Sequence, residues 1–352
     1  MMKIRKTIAL LTGIGALLLA SCSSDPGAED GGRQVRMPIV LAIPANNAEL
    51  TTGSTGAKAT RAEGDPGTYE KFELPKYLYI YLINTSIDET KTKVLTPEGM
   101  DLKNNGGYSL DSKKWAKTTT TDNKKDSIYT YTDQIRIIIP EDRKTGVVYA
   151  AMSTVPITVS GVDMDNPATV ADATFTLDVA KGKESEALKN LYSSPYNLIN
   201  ANGDYYGTVS DYSSNSPYIN MVLYHVASKL DVQWNVDASV QDKVKLSQIK
   251  LTGLSSGGKL FKPLENTASS STTYEKYGET FTLDAGSQWY GRKATYVIPV
   301  KQTDGSYLFP MTLTNSVNNS DKPTTAKATP PATANAVFVP WIYGTVKVTK
   351  WP

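Results

Sequence analysis

Residues 229–236 read Lys-Leu-Asp-Val-Gln-Trp-Asn-Val, and the order of their side chains indicates the fold class. Successive side chains of a β-strand point to opposite faces, so a strict period of two predicts one packed face and one solvated face. The packed face would carry Leu230, Val232, Trp234 and Val236. The solvated face would carry Lys229, Asp231, Gln233 and Asn235. This pattern is typical of an antiparallel strand with one face on a core.

Similar strand signals recur along the chain, in segments rich in β-branched and aromatic residues and bounded by turn residues. They predict strands within residues 77–83, 135–139, 147–152, 174–179, 221–236, 245–251, 296–300, 307–313 and 337–351. Only residues 183–192 favour a helix, because Ala187, Leu188 and Leu191 share one helical face. Strands and helices do not alternate, which excludes a parallel doubly wound fold. We therefore predict an all-β chain of two antiparallel β-sandwich domains in tandem.

Polar tracts mark the expected divisions between these units. The Tyr-, Ser- and Asn-rich run 193–220 predicts the boundary between an N-terminal sandwich, 62–205, and a C-terminal sandwich, 206–352. The Thr- and Lys-rich segment 94–125 predicts a protruding excursion, whose Trp115 is either a contact residue or tucked against its own domain. A third polar tract, 315–336, is expected to separate a C-terminal strand pair that can move as an appendage.

The N-terminal residues have the order of a lipoprotein leader. Lys3, Arg5 and Lys6 precede an uncharged stretch, 7–20, that is too short to cross a bilayer as a stable helix. We interpret residues 1–21 as a signal peptide. The small residues before Cys22 suit lipoprotein signal peptidase, so Cys22 is the expected lipidation site. The alternative is a chance cysteine after an ordinary cleavage site.

An isolated strand is predicted close behind this leader. Val35, Met37, Ile39, Leu41 and Ile43 occupy alternate positions and would form one apolar face. The polar segment 23–32 precedes this strand, and the polar segment 51–67, with Lys58 and Arg61, follows it. Such segments cannot bury enough apolar surface to fold by themselves. The strand is therefore expected to stand between two linkers.

The composition limits the kinds of catalytic, metal or nucleic-acid site that the chain can form. Cys22 is the only cysteine and His225 the only histidine, so neither a thiolate site nor a pair of histidines for zinc is available once Cys22 is lipidated. His225 lies in a predicted strand and is expected to be structural. The sum of 37 basic and 35 acidic residues leaves a net charge of +2, which does not favour nucleic-acid binding.

Three further features of the sequence bear on a binding or catalytic role. Residues 163–167 begin like a calcium loop, but Pro167 occupies a ligand position. Gly257 and Gly258 follow two serines and predict a hairpin turn rather than a phosphate cradle. The sequence does not exclude a catalytic pair of carboxylates, because two acidic side chains from any two loops can lie close together in the fold. We expect no enzyme, no metal site and no cofactor.

Taken in order, several features resemble the fimbrillins of Bacteroidales, the subunits of type V pili. They are the lipobox at Cys22, the isolated first strand, Thr60-Arg61-Ala62, the segment 225–232 and the C-terminal strand region ending at Trp351. The resemblance implies two transthyretin-like sandwich domains, delivery to the outer membrane as a lipoprotein, and a place in a cell-surface fimbrium that mediates adhesion. It also implies that a trypsin-like protease removes the first strand and that a strand of another subunit takes its groove.

The resemblance assigns roles to particular residues. Cleavage would fall between Arg61 and Ala62, with Lys58 as a second choice, so residues 22–61 form the lipidated segment with the removable strand. The donor strand would lie in 337–352, with Val337, Val339, Val346, Val348 and Trp351 as its site residues. Expected partners are copies of this chain or related pilins, the two processing enzymes, and ligands on host or bacterial surfaces. Pilus anchor, pilus tip and glycan-binding outer-membrane lipoprotein stay as alternatives.

Overall fold

The computed structural model describes residues 32–44, 73–86, 93–100, 106–119, 127–140, 143–194, 208–209, 219–267, 274–328 and 341–351. Within these ranges the chain is almost entirely β, and most paired strands are antiparallel, which confirms the all-β prediction. The single α-helix of the described part, α1 (Glu184–Lys189), lies inside the predicted helical segment but is shorter.

The first thirteen strands are β1 (Gly32–Pro44), β2 (Tyr77–Ser86), β3 (Lys93–Leu95), β4 (Tyr108–Ser109), β5 (Trp115–Thr119), β6 (Ser127–Pro140), β7 (Arg143–Ser153), β8 (Ile157–Ser160), β9 (Thr174–Leu177), β10 (Tyr192–Ser193), β11 (Thr208–Val209), β12 (Ile219–Val222) and β13 (Tyr224–His225). The remaining strands are β14 (Ser228–Val236), β15 (Leu246–Ser255), β16 (Gly257–Lys259), β17 (Lys276–Thr282), β18 (Tyr290–Val297), β19 (Tyr307–Asn315), β20 (Ser320–Ala328) and β21 (Trp341–Val348).

Two sheets form the N-terminal part. One has the order β12-β1-β6-β5, and the other has the order β13-β10-β7-β2-β3, with β4 and β11 pairing at its sides. Between them lies a cluster that we call the first-strand core. It consists of Met37, Ile39, Leu41, Ile43, Leu78, Ile80, Leu82, Leu110, Tyr131, Ile135, Ile137, Val148, Ala150, Met152, Tyr192, Ile219, Met221 and Leu223.

The sheet that contains β2 and β7 is buried on both faces. Leu78 and Ile80 point into the first-strand core, while Tyr79 and Tyr81, which alternate with them, belong to a second cluster. This second cluster, the main core, joins Tyr79, Tyr81, Tyr149 and Ala151 to Phe175, Phe261 and the apolar residues of β14, β15, β19 and β21. Because burial on both faces needs apolar side chains at successive positions, β2 and β7 lack the alternation of β14.

Two further sheets form the C-terminal part, with the orders β18-β14-β21 and β17-β15-β19-β20. Their apolar faces meet in the main core, as predicted for Leu230, Val232, Trp234 and Val236. The solvated face was predicted wrongly at its start, since Lys229 and Asp231 are only 4% and 0% exposed. Helix α1 packs across the neighbouring strand β18, where Ser185 Oγ accepts a hydrogen bond from the Tyr296 N–H.

The single strand predicted over 221–236 is wrong. The chain makes three strands there, and the first two pair with the N-terminal sheets: β12 with β1, and β13 with β10. Only β14 belongs to a C-terminal sheet. Strand pairing therefore changes from the N-terminal to the C-terminal sheets at residues 226–228, apart from a small sheet in which β16 pairs with β9 and β9 with β8. The domain boundary between residues 205 and 206 stays a prediction.

Two polar tracts were also misread. The tract 315–336 contains strand β20, which pairs with β19 after a tight turn in which Asn319 has φ +52. Its Pro323 is tolerated because β20 is an edge strand. Segment 94–125 contributes β3, β4 and β5 to the sheets, and Trp115 packs on Tyr131 with ring centroids 5.3 Å apart. Trp115 is thus tucked against its own domain.

The predicted hairpin turn at Gly257 and Gly258 is wrong as well, because both residues lie in strand β16, paired with β9. A Cβ on Gly257 would clash with the Phe175 carbonyl oxygen, so the close approach of two backbones explains this glycine. In the part of the chain that the structure describes, no helix is long and apolar enough to cross a membrane.

Candidate functional site

Strand β1 is the centre of the candidate site. It pairs antiparallel with β6 along its whole length, from Gly32 opposite Pro140 to Pro44 opposite Ile128. On its other side it pairs in parallel with β12, from Ile39 beside Ile219 to Ala42 beside Val222. The strand predicted to be isolated in sequence is therefore an interior strand of a sheet.

From Met37 to Ile43, the inward face of β1 is fully buried. Met37, Ile39, Leu41 and Ile43 are each 0% exposed and lie in the first-strand core, as the alternating pattern predicted. Burying an aliphatic side chain of this size contributes roughly 1.5–3 kcal/mol, so the four together contribute roughly 6–12 kcal/mol. That sum is comparable with the whole stability of a typical domain, about 5–15 kcal/mol.

The opposite face of β1 is buried too, and the alternating pattern did not predict this. Val40 is 3% exposed and Ala42 is 0% exposed, and Ile128 and Val222 pack against them. The available signal was the unbroken apolar run from Met37 to Ile43, which is typical of a strand covered on both faces. Arg36, just before this run, is exposed.

The C-terminal strand, the predicted donor, lies in its own sandwich. Strand β21 pairs in parallel with β14, from Trp341 beside Lys229 to Val348 beside Val236. Val346 and Val348 are 5% and 3% exposed and belong to the main core. The expected appendage is therefore wrong for residues 341–348, because β14 and the main core hold them.

The end of this strand is held by further contacts. Val348 accepts a backbone hydrogen bond from Asp237, at 2.8 Å. Trp351 Nε1 donates to Ser320 Oγ at 2.8 Å, and Lys322 Nζ lies 5.6 Å from the Trp351 ring. Trp351 thus contacts β20, the neighbouring strand across the sandwich, and fastens the chain end to it.

The remaining predicted site residues fall elsewhere. Cys22, Arg61, Ala62, Val337 and Val339 lie outside the described residues, so lipidation, cleavage and the first half of the donor segment stay predictions. Lys58 lies outside them as well.

The residues considered for chemistry have structural surroundings. His225 is 7% exposed, and its ring centroid lies 4.4 Å from that of Tyr192, which agrees with a structural histidine. Asp163 Oδ1 accepts a hydrogen bond from the Asp165 N–H, so this carboxylate closes its own turn. Among the described residues, no three His, Cys, Asp or Glu side chains converge as metal ligands.

One buried charge stands out on β14. Asp231 is 0% exposed, and its Oδ2 accepts hydrogen bonds from Arg292 Nη2 at 3.1 Å and Gln233 Nε2 at 3.3 Å. Burial raises the pKa of the Asp231 carboxyl above its ordinary value, and the Arg292 guanidinium opposes that rise. This pair lies in the C-terminal sandwich, whereas β1 lies in the N-terminal one, so it takes no part in the β1 site.

No protein-family model matches the chain, and no curated protein matches it. Solved structures to which the chain shows some similarity include a provisionally named adhesin from Bacteroides ovatus, with 10% identity, 95% of this chain and 100% of that chain covered, and a TM-score of 0.40. A provisionally named cell adhesion protein from Bacteroides eggerthii has 10% identity, 89% and 87% coverage, and a TM-score of 0.39. A provisionally named polysaccharide binding protein from Bacteroides thetaiotaomicron has 7% identity, 81% and 78% coverage, and a TM-score of 0.36. Similarity at this level assigns no function.

Proposed function

We propose that this chain is a structural subunit of an adhesive cell-surface fimbrium, delivered as an outer-membrane lipoprotein and assembled by exchange of β1 for a strand of another subunit. The observation that carries the proposal is the position of β1. It is the first strand of the described residues, it is interior to its sheet, and its seven residues from Met37 to Ile43 are all buried.

A cut in the polar tract behind β1 makes exchange possible without unfolding the protein. Arg61 lies between β1 and β2 in sequence, so cleavage there separates β1 covalently from the rest of the fold. The cut leaves the ladder to β6 and the apolar contacts in place, so β1 stays bound until another strand competes for the groove. Strand addition then supplies both backbone hydrogen bonds and side-chain burial.

The groove sets requirements for the incoming strand. It needs four apolar side chains at alternate positions to replace those of Met37, Ile39, Leu41 and Ile43. It also needs apolar side chains on the reverse face, with a small one at the position of Ala42. A strand with a charged reverse face would bury an unpaired charge there, at a cost of several kcal/mol.

A donor taken from the C-terminus of another copy must first leave its own sandwich. Residues Trp341 to Val348 pair with β14 in the folded chain, so donation exchanges one set of strand contacts for another. The unbroken apolar segment 336–343, Ala-Val-Phe-Val-Pro-Trp-Ile-Tyr, suits a groove that buries both faces. Residues 345 and 347, Thr and Lys, are exposed and suit it less. We propose that the donor acts through the first part of 337–352.

Limited trypsin digestion tests the proposal. Folded precursor is expected to be cut first at Lys58 or Arg61, to remain a compact monomer, and then to form ladder-like multimers over time. Changing both Lys58 and Arg61 to Ala should abolish the ladder. A matched variant with Lys113 and Lys181, two exposed lysines on other elements, changed to Ala should form the ladder normally. Denaturing gel electrophoresis without heating would follow both reactions.

Multimers that form equally well from the uncleavable variant would refute cleavage as the trigger. The anchor and glycan-binding alternatives would then become the leading hypotheses. The N-terminal residue of the protein recovered from cells gives an independent check, since an acylated Cys22 indicates an anchored lipoprotein and Ala62 indicates a processed pilin.

A further inference from the structure

Strand β12 depends on β1 for its place in the sheet. In the order β12-β1-β6-β5, β12 is an edge strand, and β1 is the strand with which it forms a ladder in the described part of the chain. The backbone contact continues one residue further, where the Leu223 N–H donates to the Ala42 carbonyl at 2.8 Å. If β1 leaves, β12 loses this ladder while its side chains stay in the core.

The side chains of β12 match those of β1 position by position. Ile219 stands beside Ile39 and Met221 stands beside Leu41, and Leu223 comes next to Ile43. Parallel neighbours in register place their side chains on the same face of a sheet. Accordingly, Ile219, Met221 and Leu223 are 1%, 3% and 0% exposed and share the first-strand core with β1.

The direction of β12 also fits the place of β1. Strand β12 runs parallel to β1, and β1 runs antiparallel to β6, so β12 is antiparallel to β6. A sideways shift of one strand spacing, about 4.8 Å, would therefore set β12 against β6 with a normal ladder. No residue would change face, because the shift needs no slip in register.

The residues that follow β12 in sequence hold its C-terminal end, so β12 can only rotate about that end. Strand β13, from Tyr224, pairs with β10, and the Val226 N–H donates to the Leu191 carbonyl at 3.0 Å. These contacts lie in the other sheet and do not involve β1, so they hold the end of β12 near Leu223. Ile219 lies four residues from that point and can move the furthest.

We propose that β12 is a closing strand: when β1 leaves, β12 swings against β6 and covers the middle of the vacated groove. This inference rests on the proposed exchange of β1. Ile219 and Met221 take the positions of Ile39 and Leu41, Leu223 stays held near its present place, and the position of Met37 stays open. An incoming strand would then start at the open Met37 end, displace β12, and restore the four-stranded order by pairing with both β6 and β12.

Such closure has a physical benefit for an unoccupied subunit. A groove without β1 exposes a row of unpaired backbone groups and an apolar trough, which favour unspecific strand pairing. Strand β12 would cover the two middle inward positions, those of Ile39 and Leu41, from within the same chain. It would slow indiscriminate pairing and leave a short open segment as the entry point for the correct strand.

Disulfide trapping in the full chain tests the closing strand. In a Cys22→Ser background, Asn220→Cys is combined with Thr132→Cys; both residues stand beside Val40, on opposite sides of it. Their Cα atoms lie two strand spacings apart, about 9.6 Å, which is beyond the reach of a disulfide. Undocking β1 with Ile39→Asp and Leu41→Asp should raise crosslinking on the order of tenfold, because closure brings the two positions into direct register.

Two further pairs make the result decisive. Val40→Cys with Thr132→Cys should crosslink in the chain with docked β1 and lose that crosslink in the undocked chain. Asn220→Cys with Arg136→Cys lies out of register and should stay uncrosslinked in both. Two results would overturn the closing strand. One is equal crosslinking of residue 220 to 132 and to 136, as in an unfolded chain. The other is the absence of a 132–220 crosslink after β1 is undocked. The multimer assay of the proposed function is a separate measurement. Multimers that form although the 132–220 crosslink does not would refute the closing strand alone. A 132–220 crosslink without multimers would refute strand exchange alone.

Discussion

Asp231 is the residue at which burial and charge oppose each other most directly. Its side chain is 0% exposed and makes an ion pair with Arg292, whose side chain is 40% exposed. The Asp231 Oδ1 atom has no hydrogen-bond partner among the described residues. Removing a carboxylate from water without full compensation disfavours its charged form. The raised pKa of Asp231 is the consequence.

This raised pKa predicts a stability change with pH. Between the ordinary value of 3.8 and the higher folded pKa, the folded state binds more protons than the unfolded state. The free energy of unfolding therefore falls as the pH rises through this window, and levels off above it. Asp231→Asn should remove the fall, so its stability relative to the natural chain should increase as the pH rises. Urea unfolding at several pH values from about 3 to 7 would measure it.

The exposed Asp242 supplies the matched control. Asp242→Asn should follow the pH profile of the natural chain. Parallel profiles for Asp231→Asn and the natural chain would show that burial of Asp231 carries no such penalty.

At the scale of elements, the two strands nearest the ends of the described chain are alike in their parallel pairing and in their contact with a core. Strand β1 is interior to its sheet, while β21 is an edge strand, and each pairs in parallel with a strand of the segment 219–236. Both contribute apolar side chains to a core. The C-terminal strand is therefore part of the folded subunit as well as the proposed donor.

Removing β21 should consequently destabilise the subunit. Deleting residues 341–352 uncovers the edge of β14 and loses the burial of Val346 and Val348, roughly 3–6 kcal/mol for the two side chains. We expect the midpoint of thermal unfolding to fall strongly. We also expect the truncated protein to bind an apolar dye, because apolar surface becomes exposed. Lys347→Ala, an exposed change on the same strand, should leave the midpoint unchanged. An intact midpoint after the deletion would mean that β21 is held too weakly to count as part of the fold.

At the scale of the whole molecule, two separate cores share one sheet. The sheet of β2 and β7 contacts the first-strand core on one face and the main core on the other. Strand β1 contributes to the first-strand core and to the small cluster on its reverse face, and not to the main core. Loss of β1 therefore opens one face of the molecule and leaves the main core intact.

Native-state hydrogen exchange should reveal this division. The amides of β1, β12 and the facing side of β6 should open together, at a lower free energy than those of β14 and β15, because they share the ladder that β1 completes. As the urea concentration is raised, the opening free energies of the two groups of amides should become equal only near global unfolding. Exchange of all these strands at a single free energy would show that the two cores open as one unit.

Much of the local structure followed from the sequence. The period of two in 229–236 identified β14 and its core face, and the alternate apolar residues from Met37 to Ile43 identified β1. The helical face at Ala187, Leu188 and Leu191 located α1. The polar strand β20 was missed, because an edge strand with Thr, Lys and Pro carries no apolar alternation. Strand β17 was missed for a similar reason, since polar residues separate its few apolar ones.

By itself, the sequence determined the all-β class, the main strands and the first apolar strand between polar tracts, because these depend on the order of side chains along one strand. Only the folded chain shows that β1 is interior, that β12 joins the N-terminal sheet, and that β21 lies against its own β14. These outcomes depend on which strands become neighbours, and backbone hydrogen bonds between strands are the same whatever the side chains. The pairing of strands is chosen by the packing of the entire core, which no local pattern contains.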